Sequence, residues 1–499
     1  MVMHTETALE RVPRWEIFEI ALNGQRTGNP YADVSLVALF RYGEHVFEIE
    51  GFYDGDGCYR IRFMPGLEGA WSYSSRSSAP ELDGISGGFI CGPPKKDAHG
   101  VVRVARTFHF VYEDGRPYFP VGTTCYAWTH QGSFLEEQTL ETLSRSPFNK
   151  IRMCIFPKHY DYNSNEPEFF PFEGTPQRGW DFTRFRPDFF RHLEKRIGEL
   201  RALGIEADLI LFHPYDRWGF SDMGAEADDR YVRYVVARLS AYRNVWWSLA
   251  NEYDLPTSYG SRRRKTPEDW ERFAAILVKW DPHGHLRSIH NCRELYDHGK
   301  PWITHCSIQR IDVYKTSEMT SQWREDYHKP VVIDECAYEG NIDLGWGNIT
   351  ASEMVRRTWE GVVRGGYVGH GETYLDPAEV LWWSKGGVLH GQSPERIGFM
   401  KRILEEGPVD GLSPISFGME SWDLPCGGVP GKYYLFYFGF NQPAFRKFHM
   451  PEGQKFTVDI IDTWNMELHR LPGTFTGQFR IELPGRQFMA VRILRESEA

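Results

Sequence analysis

The sequence predicts an α/β protein in which a parallel (β/α)8 TIM barrel is flanked by amino-terminal and carboxyl-terminal antiparallel β-sandwiches. Three observations support this fold class. Between about residues 97 and 410, short apolar runs alternate with amphipathic helical segments, as in βαβ units. Before and after this region, apolar and polar residues instead alternate with a period of two, as in antiparallel sheets. The predicted domains are therefore residues 1–96, 97–410 and 411–499.

The composition indicates a globular chain and limits its partners. Of the 499 residues, 41% are hydrophobic and 15% aromatic, enough to build two or three cores. The formal net charge of −11 argues against nucleic acid and against an anionic membrane, because both favour a basic face. We expect a neutral or small ligand, and the composition leaves a homo-oligomer open.

The sequence also bears on location, cysteines and metals. No run approaches the about 18 apolar residues of a membrane helix, and the first residues lack an apolar segment of signal-peptide length. The eight cysteines have no Cys-x-x-Cys spacing, which is typical of buried free thiols. His283 and His285 are spaced like metal ligands but lie after a helix, on the face away from the strand ends, and His109, His159 and His192 show no zinc-site spacing. We predict a cytoplasmic protein without cofactor, metal or membrane partner.

The two sandwiches are predicted from short alternating segments. These occur at 15–20, 34–40, 59–63, 434–438, 458–461 and 488–491. Glycine-containing turns at 54–57 and 87–88 separate the amino-terminal segments. The Pro-Pro-Lys-Lys stretch at 93–96 is the predicted linker to the barrel.

The barrel strands are predicted from the apolar runs of the central region. They fall at 121–125, 150–156, 207–212, 245–249, 287–291, 303–308, 330–335 and 365–372. A helix with Pro187 in its first turn and Gly204 after its end follows the second strand. Further helix starts are predicted at Asp228, Thr266, Thr350 and Ser393, each a residue type that caps helices.

Two predicted barrel strands end in carboxylates. Strand four delivers Asn251 and Glu252, and strand seven ends in Asp334 and Glu335. The active sites of β/α barrels lie at the carboxyl ends of the strands, and strands four and seven face each other across the mouth. Glycoside hydrolysis needs two carboxyl groups, about 5 to 5.5 Å apart in retaining enzymes. We therefore predict Glu252 as general acid/base and Glu335 as nucleophile.

These features resemble a known clan of enzymes. Asn251 and Glu252 after strand four, with Glu335 at strand seven, are similar to the retaining (β/α)8 glycoside hydrolases typified by cellulases, mannanases and β-galactosidases. The segments GFYDGDGCYRIRFMP, FVYEDGRPYFPVGTTCYAW, GHGETYLDPAEVLWWSKGG and IIDTWNMELHRLPG resemble a bacterial group more closely. Its members combine a sandwich of unknown function, an apiosidase-related barrel and a carboxyl-terminal sandwich. This resemblance covers almost the whole chain and implies fold and reaction type rather than substrate.

The resemblance implies supporting roles for several residues. Arg152 matches the arginine that hydrogen-bonds the nucleophile, and His213 would line the site. Asn251 would hold the 2-hydroxyl of the sugar, a contact that tightens in the transition state. Trp383 or Trp382 would form the apolar floor beneath the sugar ring.

Strand six departs from the pattern of the clan, which places a Tyr or His beside the nucleophile there. In this chain Gln309 could donate that hydrogen bond, or Tyr314 could reach in. The apiosidase branch also implies Asp334 as a rival nucleophile. Strand alternation argues for Glu335, because adjacent residues of a strand point to opposite faces.

Other polar and aromatic residues near the predicted strand ends are candidate sugar contacts. Trp128 and His130, after strand one, could form a subsite wall. Glu372 and His370, at the end of strand eight, could hydrogen-bond hydroxyl groups or serve the fold.

These observations predict a retaining glycoside hydrolase that acts by double displacement on oligosaccharides or glycosides, with exo action favoured. A transglycosidase and an inactive carbohydrate-binding protein are the alternatives. No basic cluster demands an acidic sugar, although Arg217, His213 and Lys158 could hold one.

Overall fold

The computed structural model describes residues 9–255, 265–313, 315–417 and 423–496. The structure is mixed α/β, with parallel strands in the central region and two-sheet units on either side. All eight cysteines are free thiols, as predicted, but Cys58 and Cys292 are only half-buried.

Eight parallel segments pair in chain order around a ring. These ring strands one to eight are Gly122–Thr124, Lys150–Cys154, Glu206–Phe212, Val245–Ala250, Arg287–Ser288, Cys306–Gln309, Val331–Glu335 and Tyr367–Val368. Strands one to five form one sheet and strands six to eight another. Single bridges, His290 to Ser307 and Thr123 to His370, join the two sheets at both edges. All eight strands overlap the predicted ones.

Helices follow most ring strands. The α-helices span Pro30–Asp33, Ser133–Arg145, Pro187–Ala202, Ala225–Leu239, Pro267–Trp280, Thr320–Tyr327, Ala351–Val363, Trp382–Lys385 and Ser393–Glu405. Short 3-10 helices span Pro80–Leu82, Trp128–His130, Phe220–Asp222, Ser317–Met319 and Gly345–Gly347.

Local sequence signals account for several helix starts. Thr266 and Asp269 exchange the two hydrogen bonds of a capping box, and the Thr350 side chain accepts from the Glu353 amide. The helix predicted to open at Asp228 instead begins at Ala225, directly after Gly224. The side chain of Asp228 is used in an ion pair with Lys265, at 2.7 Å.

The amino-terminal unit consists of two sheets around one core. One sheet has the order Glu10–Pro13, Ser86–Gly92, Gly69–Ser77, Leu36–Tyr42 and His45–Glu50; the other has Phe18–Asn23, Cys58–Phe63 and Phe52–Tyr53. The prediction of a wholly antiparallel unit is wrong in one pair, since Glu10–Pro13 runs parallel to Ser86–Gly92. That strand covers an edge that would otherwise be open. A hairpin of Val102–Ala105, His109–Tyr112 and Pro117–Tyr118 then leads to the ring.

The remaining strands form the carboxyl-terminal unit and two small two-stranded sheets. The larger sheet has the order Ser413–Pro414, Cys426–Val429, Tyr433–Tyr437, Met489–Arg495, Phe456–Asp462 and Glu467–Arg470, and Phe445–His449 pairs with Gln478–Glu482. Outside this unit, Phe172–Thr175 pairs with Gly179–Phe185, and Glu339–Gly340 pairs with Glu372–Thr373. The two sheets of the unit share one apolar core.

A buried ion network joins the amino-terminal unit to the ring helices. Arg238 contacts Glu194 at 2.5 Å and Asp54 at 2.8 Å, and its side chain is fully buried. Arg62 donates to the carbonyl of Arg238 at 3.0 Å and pairs with Glu194 at 2.8 Å. Because Asp54 and Arg62 belong to the amino-terminal unit, this network fixes how the unit sits on the ring.

Replacing Arg238 by alanine is expected to lower the free energy of unfolding by about 3 kcal/mol, because it removes a fully buried guanidinium that pairs with two buried carboxylates and leaves Glu194 to Arg62 alone. Urea unfolding measures the change. The matched control is Arg230→Ala on the same helix, whose only ion-pair partner among the described residues, Glu226, is 89% exposed. This control should cost less than about 1 kcal/mol. Equal losses in the two variants would contradict the role assigned to Arg238.

Candidate active site

Two glutamates lie together at the carboxyl ends of the ring strands. Glu252 follows ring strand four, Glu335 ends ring strand seven, and each is 7% exposed. Glu252 has a φ of 53°, in the left-handed region that residues other than glycine rarely adopt. Such strain is concentrated at functional sites. We refer to Glu252 and Glu335 as the glutamate pair.

Gln309, at the end of ring strand six, bridges the glutamate pair. With its amide oriented to donate, the nitrogen lies 3.2 Å from Glu252 Oε1 and 3.2 Å from Glu335 Oε2. Asn291 fixes the backbone of Gln309 through two hydrogen bonds, one to its carbonyl and one from its amide, both 3.1 Å long. Two oxygens that share one nitrogen can be no further apart than twice the hydrogen-bond length, so the two carboxyl groups are close neighbours.

The carboxylate of Glu335 is held by a tyrosine and an arginine. Tyr126, just after ring strand one, donates its hydroxyl hydrogen to Glu335 Oε1. Arg152 Nη1 lies 3.1 Å from the same oxygen and 2.7 Å from Asn251 Oδ1. Asn251 Nδ2 in turn donates to Glu252 Oε2 at 3.2 Å. Arg152 and Asn251 therefore connect the two glutamates, and Arg152 is close enough to stabilise a charged Glu335.

Glu252 is the member of the pair suited to carry a proton. Burial, followed by the nearby charge of Glu335, raises the pKa of Glu252 to about 7. The hydroxyl of Tyr215, which donates to Glu252 Oε2, acts in the opposite direction by stabilising the ionised form. A carboxyl group that holds its proton near neutral pH can serve as a general acid.

The strand alternation used to choose between Asp334 and Glu335 does not hold at these two residues. The pairing between ring strands six and seven shifts at this point: Ile308 pairs with Ile333, but Gln309 pairs with Glu335 and skips Asp334. This bulge turns both carboxylates inward. Asp334 is nevertheless occupied, since Lys150 lies 2.8 Å from it and Ser307 Oγ 2.5 Å.

The structure separates the two tryptophans proposed for the sugar floor. The indole of Trp382 donates to Thr123 Oγ1 at 2.8 Å, which directs it into the wall of the ring. The ring of Trp383 packs edge-on against Tyr126, with 5.5 Å between centroids, and lies beside the glutamate pair. Of the two tryptophans, only Trp383 contacts a residue that bonds the glutamate pair.

Three other predicted contacts have structural partners outside the glutamate pair. His213 is buried with its Nε2 3.2 Å from the carbonyl of Phe156, and burial lowers its pKa to about 3. Trp128 is completely buried, and its indole donates to the sulfur of Met153 at 3.4 Å. Glu372 accepts the amide hydrogens of residues 390 and 391, at 2.5 and 2.8 Å. Each of these side chains has a structural partner, and none makes a hydrogen bond to the pair within the described chain.

Sequence reasoning missed the two tyrosines that bond the pair. Tyr126 directly follows ring strand one, and Tyr215 lies two residues after His213. The strand-end rule that selected the glutamates would have included Tyr126 had it been applied to every polar residue there. Tyr215 carries no such signal. Tyr314, the alternative partner at strand six, lies outside the described residues.

The described ranges were also searched for metal sites and membrane helices. Among them, no three His, Cys, Asp or Glu side chains converge as a metal ion would require. No helix of these ranges is both long and apolar enough to cross a membrane.

Solved structures share this architecture. A protein from Bacteroides vulgatus ATCC 8482, to which glycoside hydrolase activity has been attributed, is 38% identical, with a TM-score of 0.91 over 98% of this chain and 100% of that one. A family 5 glycoside hydrolase from the same organism is 16% identical, with a TM-score of 0.60 over 79% of this chain and 93% of that one. A further glycoside hydrolase is 14% identical, with a TM-score of 0.61 over 80% of this chain and 98% of that one. These likenesses show the TIM-barrel type of fold, and the protein is a glycoside hydrolase.

The family can be stated more narrowly. Residues 105–392 match the family described as "Apiosidase-like, catalytic domain", which is more than half of the chain, and the chain belongs to that family. Residues 11–78 match the domain of unknown function DUF5060, and residues 422–494 match DUF5605. No curated protein matches the sequence. The predicted resemblance is confirmed, and membership implies a carbohydrate substrate.

Proposed function

We propose that the protein is a retaining, exo-acting glycoside hydrolase. Its catalytic (β/α)8 barrel would span residues 97–410, with β-sandwiches at 1–96 and 411–499. The observation that carries this proposal is the bridge by Gln309, because it limits the separation of Glu252 and Glu335. The two N–H bonds of a planar amide diverge by about 120°, so oxygens that accept them at 3.2 Å would lie about 5.5 Å apart, near the about 5 to 5.5 Å separation of retaining enzymes.

In the first chemical step, Glu252 gives its proton to the glycosidic oxygen while Glu335 attacks the anomeric carbon. The bond to the leaving alcohol breaks, and an ester between the sugar and Glu335 forms. Tyr126 and Arg152 hold the attacking carboxylate in place before the step. In the second step, Glu252 removes a proton from water, whose oxygen displaces Glu335 from the sugar. Two displacements at one carbon restore the starting configuration.

Exo action is supported by the enclosure of the glutamate pair. Both carboxylates are buried, and the aromatic rings of Tyr126, Tyr215 and Trp383 stand around them. A site of this kind suits the end of a glycan, because an endo-acting enzyme needs an open cleft that admits a chain on both sides.

The test is a screen of the purified protein against aryl pyranosides and furanosides, arabinofuranosides and apiosides included. The first-formed sugar is then observed by proton NMR before it mutarotates. We expect one aryl glycoside to be cleaved with retention of configuration. An inverted first product would overturn the retaining mechanism, and transfer of the sugar to an added alcohol in preference to water would favour a transglycosidase.

Tyr215→Phe is expected to move the alkaline limb of the pH profile of kcat/KM upward by about one pH unit. Tyr215 stabilises the ionised form of Glu252, so its loss raises the pKa of the acid, which then stays protonated to higher pH. Tyr231→Phe is the control, since this buried hydroxyl donates to the carbonyl of Leu211 at 3.1 Å. A downward shift in Tyr215→Phe, or an equal shift in the control, would refute the assignment.

A further inference from the structure

Lys158 places an ammonium group inside the candidate site. The residue is 2% exposed, and its Nζ lies over the rings of Tyr126, Tyr215 and Trp383, at 3.7, 4.3 and 4.4 Å from their centroids. Two of these rings belong to the tyrosines that bond the glutamate pair, and the third is the candidate sugar floor. The charge therefore stands where a bound sugar would meet it. Cation–π contacts of this kind hold an ammonium in place without neutralising it.

Lys158 differs from other buried or half-buried lysines in having no acceptor. Lys150 pairs with Asp208 at 2.6 Å, and Lys265 pairs with Asp228 at 2.7 Å. Lys329 donates to two backbone carbonyls, at 2.6 and 2.7 Å. Within the described ranges, by contrast, no hydrogen-bond acceptor or ion-pair partner reaches the ammonium of Lys158. A buried charge without a partner is costly unless a ligand supplies one.

The charges of the site do not cancel that of Lys158. Glu335 already contacts Arg152, at 3.1 Å, and Glu252 is the member of the pair that holds a proton. Burial lowers the pKa of Lys158 only to about 8, which leaves the amine mostly protonated at neutral pH. When Glu252 holds its proton, the site has one positive charge more than its carboxylates balance.

The other two cations considered for an acidic sugar are not available. His213 is neutral in its buried position. Arg217 pairs with Glu166 at 2.5 Å at the surface. Lys158 is the one of the three that combines burial, a free set of donors and contact with the rings around the glutamate pair.

We propose that Lys158 binds an anionic substituent, a carboxylate or a sulfate, on the sugar whose anomeric carbon Glu335 attacks. This inference rests on the proposed function and deepens it by naming the substrate class. A carboxylate or sulfate oxygen would accept the unused N–H groups of Lys158 and balance its charge, which a neutral hydroxyl cannot do. A uronic acid carries the carboxylate, and a sulfated hexose carries the sulfate.

The test separates binding from turnover. Calorimetric titrations use Glu335→Gln protein, with and without Lys158→Gln, and three groups of 4-nitrophenyl glycosides. These groups are the glucuronides and galacturonides, the 6-sulfated glucosides and galactosides, and the neutral parent glycosides, each as both anomers. We expect one anionic group to bind best, and Lys158→Gln to weaken that binding about 10- to 100-fold while neutral sugars change less than about threefold. The group that binds best distinguishes carboxylate from sulfate.

Two further variants test whether the effect is specific to Lys158 and to its positive charge. Lys279→Gln removes an exposed lysine that lies 4.6 Å over the ring of Trp280 on an outer helix, and it should leave all affinities unchanged. Lys158→Arg keeps the charge and should retain part of the preference for anions. Circular dichroism would be used to check that each variant is folded.

Three outcomes would overturn the proposal: equal affinity for anionic and neutral sugars, anion binding that survives Lys158→Gln, or no binding of any of these sugars. Failure of the proposed function looks different. In that case the parent protein would bind an anionic sugar through Lys158 but hydrolyse none of its glycosides. Cleavage of a neutral glycoside at equal rates by the parent and Lys158→Gln would instead support the hydrolase and reject the anionic substrate.

Discussion

Replacing Glu335 by glutamine is expected to lower kcat by at least about 10⁴-fold, because an amide cannot form the glycosyl ester. The change is nearly isosteric. The amide oxygen can still accept hydrogen bonds from Tyr126 and Arg152, so the fold should be retained. Single-turnover rates on the glycoside found in the screen measure the loss, and the thermal unfolding midpoint checks the fold.

The same experiment can decide between Glu335 and Asp334. A 2-fluoro sugar with a good leaving group forms the intermediate but hydrolyses it slowly, so the labelled peptide can be identified by mass spectrometry. We expect the label on Glu335 and its absence from Glu335→Gln. The control, Glu325→Gln, removes an exposed carboxylate from helix Thr320–Tyr327 and should keep full activity. A label on Asp334, or full turnover by Glu335→Gln, would contradict the assignment of Glu335 as nucleophile.

The ring strands could be predicted because their signal is local. The clearest are short apolar runs buried on both faces, such as VWWSLA at ring strand four, where every residue is buried. The positions at which the ring strands end could be predicted less well. Ring strand eight is only Tyr367–Val368, far shorter than the predicted stretch, because neighbouring glycines weaken a strand.

The contacts within the site could not be predicted, since they depend on how distant strands meet. Tyr126 reaches Glu335 across 209 positions of sequence, and nothing near either residue indicates the other. The bulge at Asp334 is a register shift between two strands, and a single strand read alone does not reveal it. Alternation therefore favoured Glu335 by a rule that does not hold at that position.

The sequence also leaves undetermined which of the candidate cations is free to bind an anion. Lys158, His213 and Arg217 were equivalent as candidate cations, all close to predicted strand ends. Only folding distinguishes them: it buries Lys158 among aromatic rings, buries His213 as a neutral imidazole, and leaves Arg217 at the surface beside Glu166. A residue type thus indicates what a side chain could bind, while its surroundings decide whether it is free to do so.

Replacing Glu252 by alanine should slow cleavage most for leaving groups that must be protonated as they depart. For an alkyl glycoside, whose alcohol must be protonated as it departs, we expect kcat/KM to fall about 10³- to 10⁴-fold. For a 2,4-dinitrophenyl glycoside the fall should be less than about tenfold, because that leaving group departs as a stable anion. Steady-state rates on the two substrates measure the difference, with Glu252→Gln as a variant of nearly unchanged volume.

The pH profile gives an independent readout of the same residue. The acid is active only when protonated, so kcat/KM of the parent enzyme should decline as the pH rises through the pKa of Glu252, about 7. That alkaline limb should disappear in Glu252→Ala. Azide, which needs no general base, should enter the vacated space, speed release of the sugar from Glu335 and give a glycosyl azide of retained configuration. An equal loss on both leaving groups, or an alkaline limb that persists without Glu252, would mean that another group supplies the proton.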